Sequence, residues 1–90
     1  MSKAVISVLG KDQVGIIAKI CSYLAKNNIN ILDISQTIVQ DYFNMMMIVD
    51  ASLFENDFSR IVLELDQLGK EIGVSIRLQH EDIFSQMHRI

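Results

Sequence analysis

The sequence contains no proline and no tryptophan among its 90 residues, and it has a single cysteine, Cys21. One cysteine cannot form a disulfide within the chain, which favours a reducing compartment. Long hydrophobic runs are also missing: the longest, residues 45–49, is far shorter than the about 20 residues that span a membrane. The N-terminal residues carry neither an export signal nor a cleavage motif. We therefore expect a cytoplasmic protein that does not associate with membranes.

Positive charge is scarce as well. Eight lysines and arginines stand against eleven aspartates and glutamates, so the net charge is -3. This is the wrong sign for binding a phosphate backbone, and we expect no nucleic-acid partner. Hydrophobic residues make up 50% of the chain, which is enough for one small domain. A core of this size leaves little stability margin, so we expect self-association to add to it.

The hydrophobic pattern changes along the chain between the period of strands and that of helices. Alternating and β-branched apolar residues predict strands at 4–9, 30–40, 43–51 and 74–79. Apolar residues at a period of about 3.6 predict helices at 16–26 and 58–72, each with one core-facing side. Asn27 and Asn28 are expected to end the first helix and Gly73 the second, because both residue types adopt the left-handed conformation. The polar residues 55–57 are expected to cap the start of the second helix.

This order of elements matches a known arrangement. It is the α+β, ferredoxin-like βαββαβ fold, a four-stranded antiparallel sheet with both helices on one face. The third predicted strand is apolar on both sides, since Met46 and Ile48 oppose Met45, Met47 and Val49. A strand with one face in water should alternate more regularly. We therefore expect something to cover the second face of the sheet.

A short C-terminal helix is one candidate for this cover. Ile83, Phe84, Met87 and Ile90 fall within about 120° of a helical wheel. Such a helix could lie on its own sheet or on that of a second copy, and the sequence alone does not distinguish the two. We accordingly divide the chain into a ferredoxin-fold domain at 1–80 and a helical extension of the same domain at 81–90.

The loop that precedes the first helix is the leading candidate for a binding site. Gly10 and Gly15 bound this loop, and the free amides and dipole at the start of the following helix favour a carboxylate or a phosphate. The glycine spacing is that of a P-loop, but Ile16 and Ile17 stand where a P-loop has its lysine and its serine or threonine. The loop is therefore not a P-loop, and a glycine turn without a ligand is the alternative.

The sequence around this loop resembles the first half of an ACT domain, a small-molecule regulatory module of amino-acid metabolism. The resemblance rests on a polar residue, Asp12, shortly before the helix-starting Gly15, and on the pair Asn30 and Ile31 at the start of the second strand. It extends over about residues 4–79. It implies the same βαββαβ fold and amino-acid binding at a subunit interface, near the first loop and the start of the second strand.

The resemblance also implies which residues contact the ligand. Asp12 and Asn30 match polar ligand-contacting positions of the family. An aspartate accepts from an ammonium group, and amides at the start of a helix receive a carboxylate. Many ACT domains have Arg-Pro before the glycine, where this chain has Gln13 and Val14. The predicted ligand-contacting residues are Asp12, Gln13, Val14, Gly15, Ile16 and Asn30.

A narrower resemblance concerns residues 33–37, 42–47 and 83–90. These segments look like those of small stand-alone ACT proteins of microbes, which carry no catalytic domain. The resemblance implies a separate sensor or regulatory subunit that acts through a homodimer, a higher homo-oligomer or a protein partner. The alternative function is a structural protein-protein interaction domain with the same fold and no ligand.

Other functions that this fold can host fit the residues poorly. An RNA recognition motif stacks bases on aromatic residues of its central strands, but the third strand here offers only Phe43. A hydrolase of the acylphosphatase type requires an arginine in the first loop, which has Lys11 instead. His80 and His88 lack the clustered partners of a zinc site, and Cys21 falls on the core side of its helix. We therefore expect no enzyme activity, no metal and no cofactor.

Overall fold

The computed structural model describes residues 2–82, and its elements follow the predicted order. The strands are β1 (Lys3–Lys11), β2 (Ile31–Val39), β3 (Tyr42–Asp50) and β4 (Val74–His80). The helices are α1 (Ile16–Lys26) and α2 (Phe58–Ile72), with a 3₁₀ helix, Ser52–Asp57, before α2. The predicted βαββαβ fold is thus confirmed. From residue 83 onward, the predicted C-terminal helix lies outside the described residues.

The four strands form one antiparallel sheet in the order β2-β3-β1-β4. β1 and β3 are central, whereas β2 and β4 are the edges. Successive strand residues point to opposite faces, and one face packs against both helices. Ile6 and Val8 of β1 and Met45 and Met47 of β3 are buried on this helix-covered face.

Each helix contributes one apolar stripe to the core. The buried residues of α1 are Ile16, Ile20 and Leu24, and α2 buries Ile61 and Leu65 among others, at the spacing of three or four that places side chains on one face. These residues and the helix-covered face of the sheet form one hydrophobic core. Within residues 2–82 this core contains no buried polar or charged side chain.

The helices end where the sequence predicts. Asn27 is the C-cap of α1, and Gly73, in the left-handed conformation at φ 78°, ends α2. The predicted capping at the start of α2 is wrong. No side-chain hydrogen bond caps this helix at Asp57, because the 3₁₀ helix takes residues 55–57 into its own turns and runs directly into α2.

β2 is the least covered strand of the sheet. Ile31 is half-buried and every other residue of β2 is exposed, including Ile34 at 46% and Ile38 at 51%. The extended contact of β2 is with β3, and a bulge between Ile31 and Asp33 shifts its register near the start. We call the free side of this strand the β2 edge. Its exposed backbone groups and apolar side chains are the features that invite pairing with another strand.

The sheet face opposite the helices, here called the outer face, is apolar at its centre. It bears Val5 of β1 and Met46 and Ile48 of β3, which alternate with the core residues of the same strands. Val5 is only 3% exposed although it does not belong to the helix-side core. The third strand is therefore apolar on both sides, as predicted.

Candidate functional site

Three chain connections meet at one end of the sheet, here called the loop end. They are the β1–α1 loop at 12–15, the β2–β3 turn at 40–41 and the corner between α2 and β4 at Gly73. The strand register brings them together, because Lys11 pairs with Tyr42, Tyr42 with Val39, and Gly10 with Val74. The third strand was predicted to begin at residue 43, but the structure already pairs Tyr42 within β3. Five of the six predicted ligand-contacting residues lie in or next to this loop.

The β1–α1 loop is held from two sides. The Asp12 amide donates a hydrogen bond of 2.7 Å to the Asp41 carbonyl in the β2–β3 turn. On the other side, the Gln13 side-chain amide donates to the Ile72 carbonyl in the last turn of α2. Hydrogen bonds to two neighbouring connections thus hold the β1–α1 loop in place.

The start of α1 presents backbone amides next to the β1–α1 loop. Gly15 is the N-cap residue at φ 94°, a conformation that side chains of L residues rarely adopt. The first helical hydrogen bond runs from the Lys19 amide to the Gly15 carbonyl at 3.0 Å, so the amides of the first turn have no acceptor within the helix. No side chain caps them, and the side chain of Val14 at the loop tip is fully exposed. This geometry suits a carboxylate better than a cation.

Gln13 has a role that the sequence did not reveal. It was predicted to contact a ligand, but its side-chain nitrogen is bound to Ile72, which is 59 positions away in the chain. Gly73 lies directly beside it, since a β-carbon built there would be 3.7 Å from the Gln13 Nε2 atom. No local pattern in the sequence links these positions. The side chain of Gln13 therefore fixes the β1–α1 loop to the C-terminal end of α2.

Asn30 lies at the opposite end of the sheet. Its carbonyl accepts a hydrogen bond of 3.0 Å from the Asp50 amide, at the end of β3 far from the loop end. β3 runs from Tyr42 at the loop end to Val49 beside Ile31, which is seven residue steps or about 23 Å. A single chain thus keeps Asp12 and Asn30 far apart, although the resemblance to ACT domains implies that both contact a ligand at a subunit interface.

The most strongly linked polar side chains lie between the two helices, away from the loop end. Tyr23 of α1 donates a hydrogen bond of 2.5 Å to Glu64 of α2, and Arg60 donates to the same carboxylate at 3.0 Å. Partial burial and the hydrogen bond to Glu64 raise the pKa of the Tyr23 hydroxyl well above its usual value. The hydrogen bonds from Tyr23 and Arg60 lower the pKa of Glu64. These groups satisfy one another, and their contacts join α1 to α2.

Other side chains of residues 2–82 that are typical of metal sites or reactive centres do not form a cluster. Between residues 2 and 82, no group of three His, Cys, Asp or Glu side chains is placed to hold a metal ion. Cys21 is half-buried, and the ring of His80 stacks on that of Phe58 at 3.9 Å between centroids. In the same part of the chain, no helix has the length and apolar character to cross a membrane.

The protein is thus a ferredoxin-like βαββαβ domain. Hydrogen bonds to two neighbouring connections hold its β1–α1 loop in place at the start of α1. The model of the ACT domain matches residues 2–79, so the chain belongs to the ACT domain family. The resemblance inferred from the residues around the first loop is thereby confirmed.

The relatives support the same assignment. A UPF0237 protein of Bifidobacterium longum is 58% identical over 90 residues, and the match covers 100% of both chains. Its name specifies no reaction. An ACT domain protein from Streptococcus pneumoniae superposes with a TM-score of 0.81 at 38% identity, covering 92% of this chain and 93% of that one. The regulatory subunit of aspartate kinase from Thermus thermophilus superposes with a TM-score of 0.68 at 26% identity, covering 88% and 51%.

Proposed function

We propose that this chain is a non-enzymatic regulatory module that binds a small molecule, with an amino acid as the expected class, at the interface of a homodimer. One observation carries the proposal. Asp12 and Asn30 lie at opposite ends of the sheet in one chain, but antiparallel pairing of two copies through the β2 edge brings one of each to the same end. Membership in the ACT domain family and the similarity to a regulatory subunit of aspartate kinase support the regulatory role.

The argument follows from the direction of β2. This strand starts next to Asn30 and finishes at the loop end, beside the turn that binds Asp12. In an antiparallel pair, the second copy's strand starts where this strand finishes. Asn30 of the partner subunit then lies at this loop end, one strand spacing of about 4.8 Å beyond β2. Two-fold symmetry makes two such sites in each dimer.

The β2 edge has the features that such pairing requires. On its side away from β3, no strand within residues 2–82 pairs with β2, and Ile34, Ile38 and Val39 leave 46%, 51% and 66% of their surfaces in water. Natural edge strands usually carry lysine, proline or other protection against association. β2 contains no lysine and no proline, so its sequence favours pairing with a second copy.

The groups at this shared site complement a free amino acid. The unpaired amides at the start of α1 suit the carboxylate, and the Asp12 carboxylate suits the ammonium group. The amide of Asn30 of the partner subunit both donates and accepts hydrogen bonds. A ligand that touches both subunits stabilises the dimer over the monomer, and this coupling is how occupancy would be signalled.

The first experiment is a dye-based thermal-shift screen against the twenty amino acids. A ligand at about 100 times its dissociation constant adds roughly 2.7 kcal/mol, which raises the midpoint of a small domain by on the order of 10 °C. We expect a selective response in the wild-type chain and its loss in Asp12→Ala and Asn30→Ala. Wild-type affinity in both variants would refute the site assignment.

A mixing experiment then tests whether two subunits share the site. Each variant alone lacks one residue in both sites of its dimer. A hybrid dimer of Asp12→Ala with Asn30→Ala has one intact site, so random exchange should restore roughly a quarter of all sites. No recovery in fully exchanged hybrids would contradict the shared interface.

The β2 edge is tested with a charge placed upon it. Ile38→Lys should weaken dimerisation by at least about tenfold, equivalent to about 1.4 kcal/mol, because the lysine must be desolvated on pairing. Leu63→Lys on α2, where the side chain is 69% exposed, is the matched control and should dimerise normally. A dimer that forms through β2 while no amino acid binds would favour the alternative function, a structural interaction domain without a ligand.

A further inference from the structure

The helix-facing side of β2 is only partly covered within residues 2–82. In the register of β2 with β3, Ile34 lies opposite Met47 and Ile38 lies opposite Phe43. Opposite residues share one face of a sheet, and Met47 and Phe43 are buried beneath the helices, so Ile34 and Ile38 also face the helix side. They are nevertheless 46% and 51% exposed. The helices therefore cover β3 but leave the same side of β2 open.

α1 borders this open side. α2 packs against β4, at the other edge of the sheet, so α1 is the helix nearer to β2. The hydrogen bond from Tyr23 to Glu64 marks the flank of α1 that faces α2. Ile17 lies about 120° around the helix from Tyr23, and Cys21 lies about 40° further in the same direction. Both are half-buried on the flank toward β2. We call the space between this flank and β2 the β2 groove.

The β2 groove is uncharged, whereas the neighbouring loop end carries charge. The side chains that line the groove are Ile17, Cys21, Ile34, Gln36 and Ile38. At the loop end lie the Asp12 carboxylate and the Lys19 side chain, whose Cε atom is 4.0 Å from the position of a β-carbon at Gly15. A charged group that entered the groove would lose its water without gaining a counter-charge. The groove therefore suits an apolar group.

The β2 groove opens at the proposed ligand site. Ile38 precedes Gln40 by two residues, or about 7 Å along the strand. The carbonyl of Asp41, in the same turn as Gln40, binds the Asp12 amide. On the other wall, Ile17 belongs to the first turn of α1, where the backbone amides have no acceptor within the helix. An amino acid held at the loop end by its ammonium and carboxylate groups can thus extend its side chain between Ile17 and Ile38.

We propose that the ligand is an aliphatic amino acid of the class of valine, leucine and isoleucine, with its side chain in the β2 groove against Ile17 and Ile38. This inference rests on the proposed function and names the ligand class of the same site. In an antiparallel pair of β2 strands, opposite residues again share a face, so the apolar floor continues into the second copy. An aliphatic side chain would then be enclosed by both subunits.

Calorimetric titration of the full-length chain tests the ligand class. The probes are valine, leucine, isoleucine, serine, glutamate, lysine and alanine, which has the same ammonium and carboxylate groups with a side chain of one carbon. We expect at least one of the three aliphatic probes to bind at least about tenfold more tightly than alanine, because each added methylene in an apolar site is worth about tenfold or more. Glutamate and lysine should not bind.

The outcomes separate this inference from the proposed function. Tightest binding of serine, glutamate or lysine would overturn the aliphatic class and leave an amino-acid regulator in place. No binding by any of the twenty amino acids would refute the proposed function and this inference together.

A matched pair of variants tests the position of the ligand side chain. Ile38→Thr makes the floor of the groove more polar. Val39→Thr makes a similar change at the next position of the same edge, on the opposite face, where Val39 lies beside Tyr42. The ratio of aliphatic to alanine affinity should approach one in Ile38→Thr and keep its wild-type value in Val39→Thr. The ratio is used because a change in dimerisation affects both ligands alike. Equal ratios in the two variants would overturn the assignment to the groove.

Methyl NMR provides a readout that requires no variant. In the wild-type chain with ¹³C-labelled isoleucine methyl groups, saturated with the tightest-binding aliphatic probe, the Ile38 and Ile17 methyl groups should show nuclear Overhauser contacts with the ligand. In a dimer of differently labelled chains, contacts of Ile38 with α1 of the second copy and none with the ligand would overturn the proposal, because the partner subunit would then fill the groove.

Discussion

β1 and β2 differ in burial far more than in sequence. Both are nine residues long and both contain several β-branched residues. β1 nevertheless buries Ala4, Val5, Ile6 and Val8, whereas no residue of β2 is fully buried. The cause is position in the sheet. β1 pairs with strands on both sides beneath the helices, and β2 pairs with β3 on one side.

The comparison shows that strand propensity says little about what a strand contributes to stability. A β-branched residue at the centre of the sheet closes the core, while the same residue on the β2 edge remains available for contact with another molecule. The predictions below test this difference.

The largest effect is expected from truncating one isoleucine in each strand. Ile6→Ala should lower the free energy of unfolding by about 2–5 kcal/mol, because Ile6 is fully buried in the core. Ile34→Ala should cost less than about 1 kcal/mol in the monomer, because half of this side chain is in water. Urea unfolding at two protein concentrations measures both. If both variants lost the same free energy of unfolding at the lower protein concentration, the inferred difference between β1 and β2 would be contradicted.

A smaller effect is expected where β1 approaches β4. A β-carbon at Gly10 would lie 2.7 Å from the Cγ1 atom of Val74 and 3.1 Å from its Cα atom. Gly10→Ala should therefore destabilise the fold by about 1–3 kcal/mol, and adding Val74→Ala should recover part of the loss. The matched change on exposed β2, Ser35→Ala, should stay within about 0.5 kcal/mol. A neutral Gly10→Ala variant would show that the two strands separate easily.

The hydrogen bond from the Gln13 side chain to the Ile72 carbonyl should contribute about 1 kcal/mol to the free energy of unfolding. Gln13→Ala removes the hydrogen bond to the Ile72 carbonyl, and Gln13→Glu removes the donor while keeping the shape. Both should lower stability and speed hydrogen exchange around Gly73. Val14→Ala, at the fully exposed neighbouring position, is the control and should change neither quantity. Unchanged exchange in both Gln13 variants would mean that the loop is held by the Asp12 contact alone.

The smallest effect concerns the hydrogen bond from Tyr23 to Glu64, which joins the two helices. The pKa of Glu64 is lowered in the folded state, so its contribution is present above the unfolded value of about 4.3 and is lost as the pH falls through the folded value. The pKa of Tyr23 is raised, so its contribution is present below about 10 and is lost as the pH rises further. In Tyr23→Phe, the loss of stability should be smaller both at low pH and at high pH.

Denaturant unfolding across the pH range, for the wild-type chain and Tyr23→Phe, checks this pH dependence. Exchange protection in β1 should fall in the variant and that in β2 should not, because most of β1 is buried in the helix-side core and most of β2 is exposed. Identical pH profiles would remove the assigned role of the Tyr23 and Glu64 contact.

Much of the fold could be predicted because its signals are local. The period of Ile16, Ile20 and Leu24 encodes the buried side of α1, and Gly73 marks the end of α2 within one turn. The start of α2 was mispredicted for the converse reason. Residues 55–57 have capping side chains, but the preceding 3₁₀ helix determines how the backbone enters α2.

The candidate site was predictable only in part. Gly15 and the start of α1 are visible in the sequence, because a glycine before an apolar helical pattern is a local feature. The contact of Gln13 with Ile72 and the separation of Asp12 from Asn30 are not. Both depend on which strands become neighbours and in which direction they run.

The sequence by itself determined the order and kind of the elements, the apolar side of each helix and the two-sided character of β3, since these follow from periodicity and local backbone preference. Only the tertiary structure decided that β1 is enclosed and β2 is not, that the Gln13 side chain holds the loop against the end of α2, and that Asp12 and Asn30 lie at opposite ends of the sheet. The physical reason is that sheet order and register arise from burial and backbone pairing between residues far apart in the chain.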